Sequence, residues 1–301
     1  MHHIFSIDEH KLTIIEVDGE YVEPYTVEKL PINIAQRYSV IVEANCEIKN
    51  YWIRATIQNT CLFNNSFTYN ADSAINWNVV GMLKYLGADD NYPTTKESDE
   101  QPESCKDLPT KNFVPLNAIT LPEPYKTFSM NVTFGPNSDN VVVGMINNHT
   151  FIPDNNYPSV TKIVDKVNPN SFAADQVPFI YDEPGGTIEI ILYNPNNLSH
   201  PFHLHGHTFQ ILGMGGGNEV DESKLNKINP LRRDTVTAPP LSWVVLRYAV
   251  DNPGVWGFHC HIEVSNIKSE LLYYKKNLRK LIDFSLLNIV AHANGTCSSN
   301  D

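Results

Sequence analysis

The sequence predicts an all-β chain built as two sandwich domains, and three observations carry that prediction. Short runs alternate apolar and polar side chains, the period of a half-buried strand. Gly, Pro or Asn bounds nearly every run. The 301 residues, 42% hydrophobic and 10% aromatic, hold enough apolar surface for about two cores.

The elements follow in chain order. Residues 12–54 contain LTIIEV, LPINIA and YSVIVEA, and INWNVVGMLKY at 75–85 closes a first block, taken as a domain over residues 1–86. The next stretch, DDNYPTTKESDEQPESCKDLPTKN, is polar and proline-bearing, which marks a connector over 87–125. Its Asp89, Asp90, Glu97, Asp99 and Glu100 read as a solvated loop rather than a cation site. FSMNVTF opens a second block, continued by VVVGMIN, GGTIEIILYN, HTFQILGMG, RRDTVTAP, SWVVLRYAV and GVWGFHCHI, a domain over 126–263. Within it Trp243 and Trp256 are expected in the core. Arg232, Arg233 and Asp234 are expected as a salt-bridged strand start, and His149 as a surface turn.

Residues 264–301 change character. Ile267, Leu271, Tyr274, Leu278, Leu281 and Ser285 fall near helical spacing, and Lys268, Lys275, Lys276, Arg279 and Lys280 would form a polar face. An amphipathic helix is one reading of this atypical tail. The other is read-through of an intron, since Val264–Ser265 can be encoded by GTAAGT.

A net charge of -12 and a sequence pI near 5.3 argue against nucleic acid or an anionic membrane as partner, because both need clustered Lys and Arg. The sequence contains no transmembrane run. The opening MHHIFSIDEH has neither the basic nor the apolar region of a secretory leader. Five Asn-X-Ser/Thr sequons, at Asn64, Asn131, Asn148, Asn197 and Asn294, instead suit a secreted or cell-surface glycoprotein. Cys46, Cys61, Cys105 and Cys297 are then candidates for disulfides, which leaves Cys260 odd.

Cys260 lies inside HCHIE, and a second histidine run, HPFHLHGH, spans 200–207; together they hold six of the chain's eleven histidines. If both runs are extended, alternation places His259 and His261 on one face and Cys260 on the other, with His203 and His205 likewise opposed to His200. A thiolate with imidazoles suits a blue-copper centre, whereas imidazoles alone suit copper, iron, nickel or zinc. Cys260 with His200 can build the first kind of site, and His203, His205, His259 and His261 can help build the second. A structural zinc site and solvated surface histidines are the plain alternatives.

HPFHLHGHTFQILG, PLRRDTVTAP and DNPGVWGFHCHIE resemble the last cupredoxin domain of multicopper oxidases, fungal laccases and iron-transport ferroxidases above all. FSIDEHKLTIIEVDGEYVEPYTVEKLPINIAQRYSVIVEA resembles their middle domain, so the likeness covers residues 1–263. It implies two cupredoxin-like (plastocyanin-like) Greek-key sandwiches and copper as cofactor. It further implies that His200 and Cys260 are type 1 ligands, His203 a type 2 ligand, and His205, His259 and His261 type 3 ligands, with His207 structural. Cys260, His259 and His261 are the implied catalytic residues, carrying electrons from a phenol or Fe(II) to dioxygen. A ferroxidase-like member would also meet an iron permease.

Two departures qualify the likeness. The family's first domain supplies two further HxH pairs, which His2, His3 and His10 do not match. The family also continues HCHIE with Trp-His and a later axial residue, where this chain has Val264, Ser265 and Glu270. The chain is therefore expected to be inactive alone, and a non-catalytic copper-binding cupredoxin module is the alternative function.

Overall fold

The computed structural model describes residues 2–58, 78–103, 105–136, 140, 142–152, 154–168, 171–173, 179, 181, 185–252, 254, 256–261 and 287–292, the last segment by its backbone. The chain forms two compact units, residues 1–117 with 283–301, and residues 118–282. Both are β-sandwich in character, and the one α-helix among the described residues, α1 (Ser159–Val164), is short.

The first unit contains β1 (His3–Ile7), β2 (Leu12–Val17), β3 (Glu20–Val27), β4 (Lys29–Ile32), β5 (Tyr38–Glu43), β6 (Asn50–Ile57) and β7 (Asn78–Lys84). One sheet runs β4-β1-β6-β7, and the other joins β5, β2 and β3. Alternation sets what is buried. Tyr38, Val40 and Val42 of β5 are buried while Ser39, Ile41 and Glu43 face outward. The β2–β3 hairpin turns at Asp18–Gly19, whose φ values of 48° and 90° are the left-handed pair that a tight hairpin demands and that Asp-Gly tolerates.

The acidic connector keeps its carboxylates solvent-exposed, as expected, yet its backbone is strapped to the first unit. Thr95 donates to Asp8 Oδ2 at 2.8 Å, beside the two 2.8 Å bonds that Arg54 makes to the same carboxylate. Glu100 accepts from the backbone of Glu28 and Lys29 at 2.8 and 3.1 Å. Val22 bridges Pro115, and Phe113 is buried in the core. Residues 87–117 are therefore structural, a role that polar composition conceals because the anchors are a few hydrogen bonds and one buried ring.

One expectation needs correction. Cys46 is a thiol rather than a disulfide partner; its Sγ donates to Glu9 O at 3.4 Å. Cys105 is disulfide-bonded, and with Cys46 and Cys260 both thiols its partner lies outside the described residues. Beyond the proposed helical face the tail supplies a strand, β17 (Leu287–His292), which pairs in parallel with β5. Strand pairing satisfies its backbone from a neighbour, which a spacing count within the tail cannot foresee. The proposed helical face, Ile267 to Ser285, lies outside the described residues.

The second unit contains β8 (Lys126–Pro136), β9 (Val142–Ile146), β10 (Thr187–Asn194), β11 (His200–Leu204), β12 (Phe209–Gly216), β13 (Arg232–Arg233), β14 (Thr235–Ala238), β15 (Ser242–Ala249) and β16 (Phe258–Cys260). Six strands form one sheet, β13-β12-β15-β10-β8-β9, and three form another, β14-β11-β16. β10 runs parallel to β8, which obliges the chain between them to cross over. Ile188, Ile190 and Leu192 are buried on one face of β10. On the opposite face of the sheet Trp243, Val245 and Leu212 make a second core with Ile191, Tyr193, Val220 and Leu225, so β15 is buried on both sides. Arg232 and Arg233, expected at a strand start, form β13 and are buried.

Candidate metal centre

The histidines and Cys260 gather on the three-stranded sheet. On β11, Phe202 lies opposite Cys260 of β16 and Val236 of β14, His203 opposite His259 and Thr235, and His200 opposite Ala238. Side chains alternate along each strand, so His200, Phe202 and Cys260 share one face, and His203 shares the other with His259. One short ladder thus serves two chemistries.

The face holding Cys260 belongs to the core. Cys260 is 2% and His200 3% exposed, among buried Phe202, Leu204, Val236 and Ala238. Cys260 Sγ lies 3.7 Å from His200 Nδ1. Phe134 stacks on the His200 ring with centroids 5.1 Å apart and planes at 28°. Burial pushes the His200 imidazole down to about 4, which keeps it neutral, and its Nε2 is buried without a hydrogen-bond partner. The pair fits a metal: bonds of about 2.3 Å to sulfur and about 2.0 Å to nitrogen at a near-tetrahedral angle put the donors roughly 3.6 Å apart.

The other face gathers four imidazoles. Ring centroids lie 4.9 Å apart for His203–His205, 5.0 Å for His205–His259, 5.2 Å for His259–His261 and 5.8 Å for His203–His259. His203 Nδ1 donates to Asp234 O at 2.9 Å and to Thr235 Oγ1 at 3.1 Å. His259 Nδ1 donates to Cys260 O at 3.1 Å, which leaves Nε2 a lone pair. That nitrogen stands 2.9 Å from His205 Nε2, so His205 carries the shared proton. Burial, followed by the neighbouring rings, lowers the pKa of His205 and brings His259 down to about 4. Neutral rings with converging nitrogens are what a metal requires. His261 continues the ladder, its backbone N–H donating to Pro201 O at 2.7 Å. Among the described residues, no three His, Cys, Asp or Glu side chains are arranged to hold one ion by themselves.

The turn after β11 aims His205. Gly206 has φ +71°, and a Cβ there would sit 2.5 Å from the Trp256 ring. Trp256 Nε1 donates to Asn252 O at 2.8 Å, and Asn252 donates to Gly206 O at 2.9 Å. Trp256 is therefore a half-buried clasp over the turn and not the core aromatic expected. His207 packs on Tyr248 and Trp256, away from the other rings. Val264, Ser265 and Glu270 lie outside the described residues. Asp234, read from sequence as part of a strand start, and Thr235 prove to be partners of His203; only the pairing of β14 with β11 shows this.

A family model described as multicopper oxidase matches residues 135–270, and a second of the same description matches residues 1–88. The chain is 36% identical over 272 residues to a laccase of Pycnoporus cinnabarinus, covering 87% of this chain and 48% of that protein. It is also 36% identical over 272 residues to the iron transport multicopper oxidase fio1 of Schizosaccharomyces pombe, covering 85% and 41%. The crystal structure of the laccase from Botrytis aclada superposes with a TM-score of 0.75 at 31% identity, covering 86% of this chain and 46% of that one. The chain spans about half the length of the curated relatives it matches.

Proposed function

The chain belongs to the multicopper oxidase family, and from that premise we propose that it carries the Cys-His half of an enzyme that oxidises phenols or Fe(II) singly and reduces dioxygen to water. The observation that carries the reading is the shared ladder: the 3.7 Å Cys260–His200 pair on one face and the imidazole group on the other. Copper supplies a one-electron couple, and thiolate with imidazole favours it over zinc at the Cys260 face.

His200 and Cys260 would hold a type 1 ion, His203 a type 2 ion, and His205, His259 and His261 type 3 ions. The protein's own contribution is positional. Cys260 is bonded through its backbone to both His259 and His261, so the two faces are joined by a covalent path of a few bonds. Phe202 and Phe134 keep water from the thiol and the His200 ring. Hydrogen bonds from Nδ1 fix His203 and His259 with Nε2 available, the second-partner arrangement that metal-binding histidines favour.

The relatives named a laccase and an iron transport oxidase support a phenol and Fe(II) respectively, and in the Fe(II) case an iron permease would be the natural neighbour. Asn131, Asn148 and Asn197 of the sequons are exposed, which supports a glycosylated, secreted or cell-surface protein. The test is oxygen uptake by the copper-loaded full-length protein with a phenol and with Fe(II). Uptake with one assigns the substrate, and Cys260→Ser should bring it to background. Copper retention without uptake on either would overturn the oxidase reading in favour of a non-catalytic copper-binding module.

A further inference from the structure

We propose that Thr235 and Asp234 are positioning residues for His203, locking its ring proton on Nδ1 and so reserving Nε2 for a metal. The register His203↔Thr235 sets the two residues directly opposite on β11 and β14. Three acceptors meet Nδ1: Asp234 O at 2.9 Å, Thr235 Oγ1 at 3.1 Å and Asp234 Oδ1 at 3.5 Å. Thr235 spends its own hydroxyl proton on Asp234 Oδ1 at 2.9 Å, so Oγ1 offers the ring lone pairs and no proton. The carboxylate orders the hydroxyl, and the hydroxyl orders the ring.

This arrangement differs from that of His259, whose Nδ1 rests on the carbonyl of the adjacent Cys260 and is set by backbone alone. His203 has a backbone acceptor too, Asp234 O, but adds side chains to it, one of them, Thr235, 0% exposed. Water does not compensate for a hydroxyl removed from such a place. Loss of a partner that orients a metal-binding histidine typically costs about 10- to 100-fold in affinity.

The inference rests on reading His203 as a ligand, and the experiment separates the two. The metal-free chain, labelled with ¹⁵N-histidine, reports the tautomer of each ring near neutral pH; Cu(II) affinity is then measured by chelator competition. Wild type should show His203 as the single Nδ1–H tautomer. Thr235→Val should give a mixture and weaken Cu(II) about 10-fold or more, Thr235→Ser should restore both, and Asp234→Asn should fall between. A tautomer unchanged in folded Thr235→Val and Asp234→Asn overturns the positioning role. A shifted tautomer with unchanged Cu(II) affinity upholds positioning and overturns the ligand reading of His203. A purely structural Thr235 would lower the melting temperature and leave the ring alone.

Discussion

His200 shows how one environment serves two ends. Burial that makes the imidazole a ready ligand also makes its protonated form costly, and the folded pKa stands near 4 against an ordinary 6.5. His259 stands near 4 as well, burial first and the adjacent rings next. A folded state that binds fewer protons than the unfolded chain loses stability as pH falls. The contribution is complete above about pH 6.5 and is lost progressively down to about pH 4, on the order of 3 kcal/mol for each ring. Urea midpoints of the metal-free chain should therefore fall steeply between pH 7 and pH 4.5, and His200→Gln should flatten that slope. An equally steep slope in His200→Gln would show that other groups carry the acid sensitivity. Cys260 beside it was legible from sequence as an odd cysteine within a histidine pair, because alternation of side chains is a covalent fact. Phe134, stacked on His200 from β8, was not, since sequence holds no record of which strand lies over which.

Among the elements, the turn between β11 and β12 is the most demanding. A β-carbon at Gly206 meets Trp256 at 2.5 Å, and the φ of +71° strains any other residue. Gly206→Ala should cost roughly 2–4 kcal/mol, combining left-handed backbone strain with overpacking. In a double-mutant cycle Trp256→Leu should recover the packing part and leave the backbone part; additive losses would mean that the ring does not limit the turn. Strands such as β5 could be read directly because one face is wet and one is dry. β15 was read as a strand, but its burial on both faces was not legible, nor was the parallel pairing of β8 with β10. Alternation tells which side chains share a face, whereas strand partners are fixed by contacts far apart in sequence. The connector misled for a related reason: Thr95 and Glu100 anchor it through a few hydrogen bonds that composition does not register.

At the scale of the whole molecule, the number of donors governs what this polypeptide can do by itself. Its two histidine-rich segments yield a sulfur–nitrogen pair and a group of four rings, with no three side chains among the described residues arranged to hold one ion. Two histidines of the first unit are engaged locally. His10 bonds Asp8 O and Tyr85 Oη at 2.8 and 2.6 Å, and buried His2 meets Lys106 O at 3.1 Å, so both are committed to the first unit. Ser265 and Glu270 offer neither the imidazole nor the apolar axial side chain found at those places in the family. Matched relatives are about twice as long, and the remaining ligands are expected from sequence beyond these 301 residues. The isolated chain, purified and saturated with copper, should consequently show weak copper binding, no intense blue absorption and no oxygen consumption with a phenol or Fe(II). Adding a polypeptide that carries two further HxH pairs should be needed for turnover. A strong blue band together with oxygen uptake by the 301-residue chain alone would mean that residues 262–301 or a second copy of the chain complete the sites, and would defeat the argument from donor number.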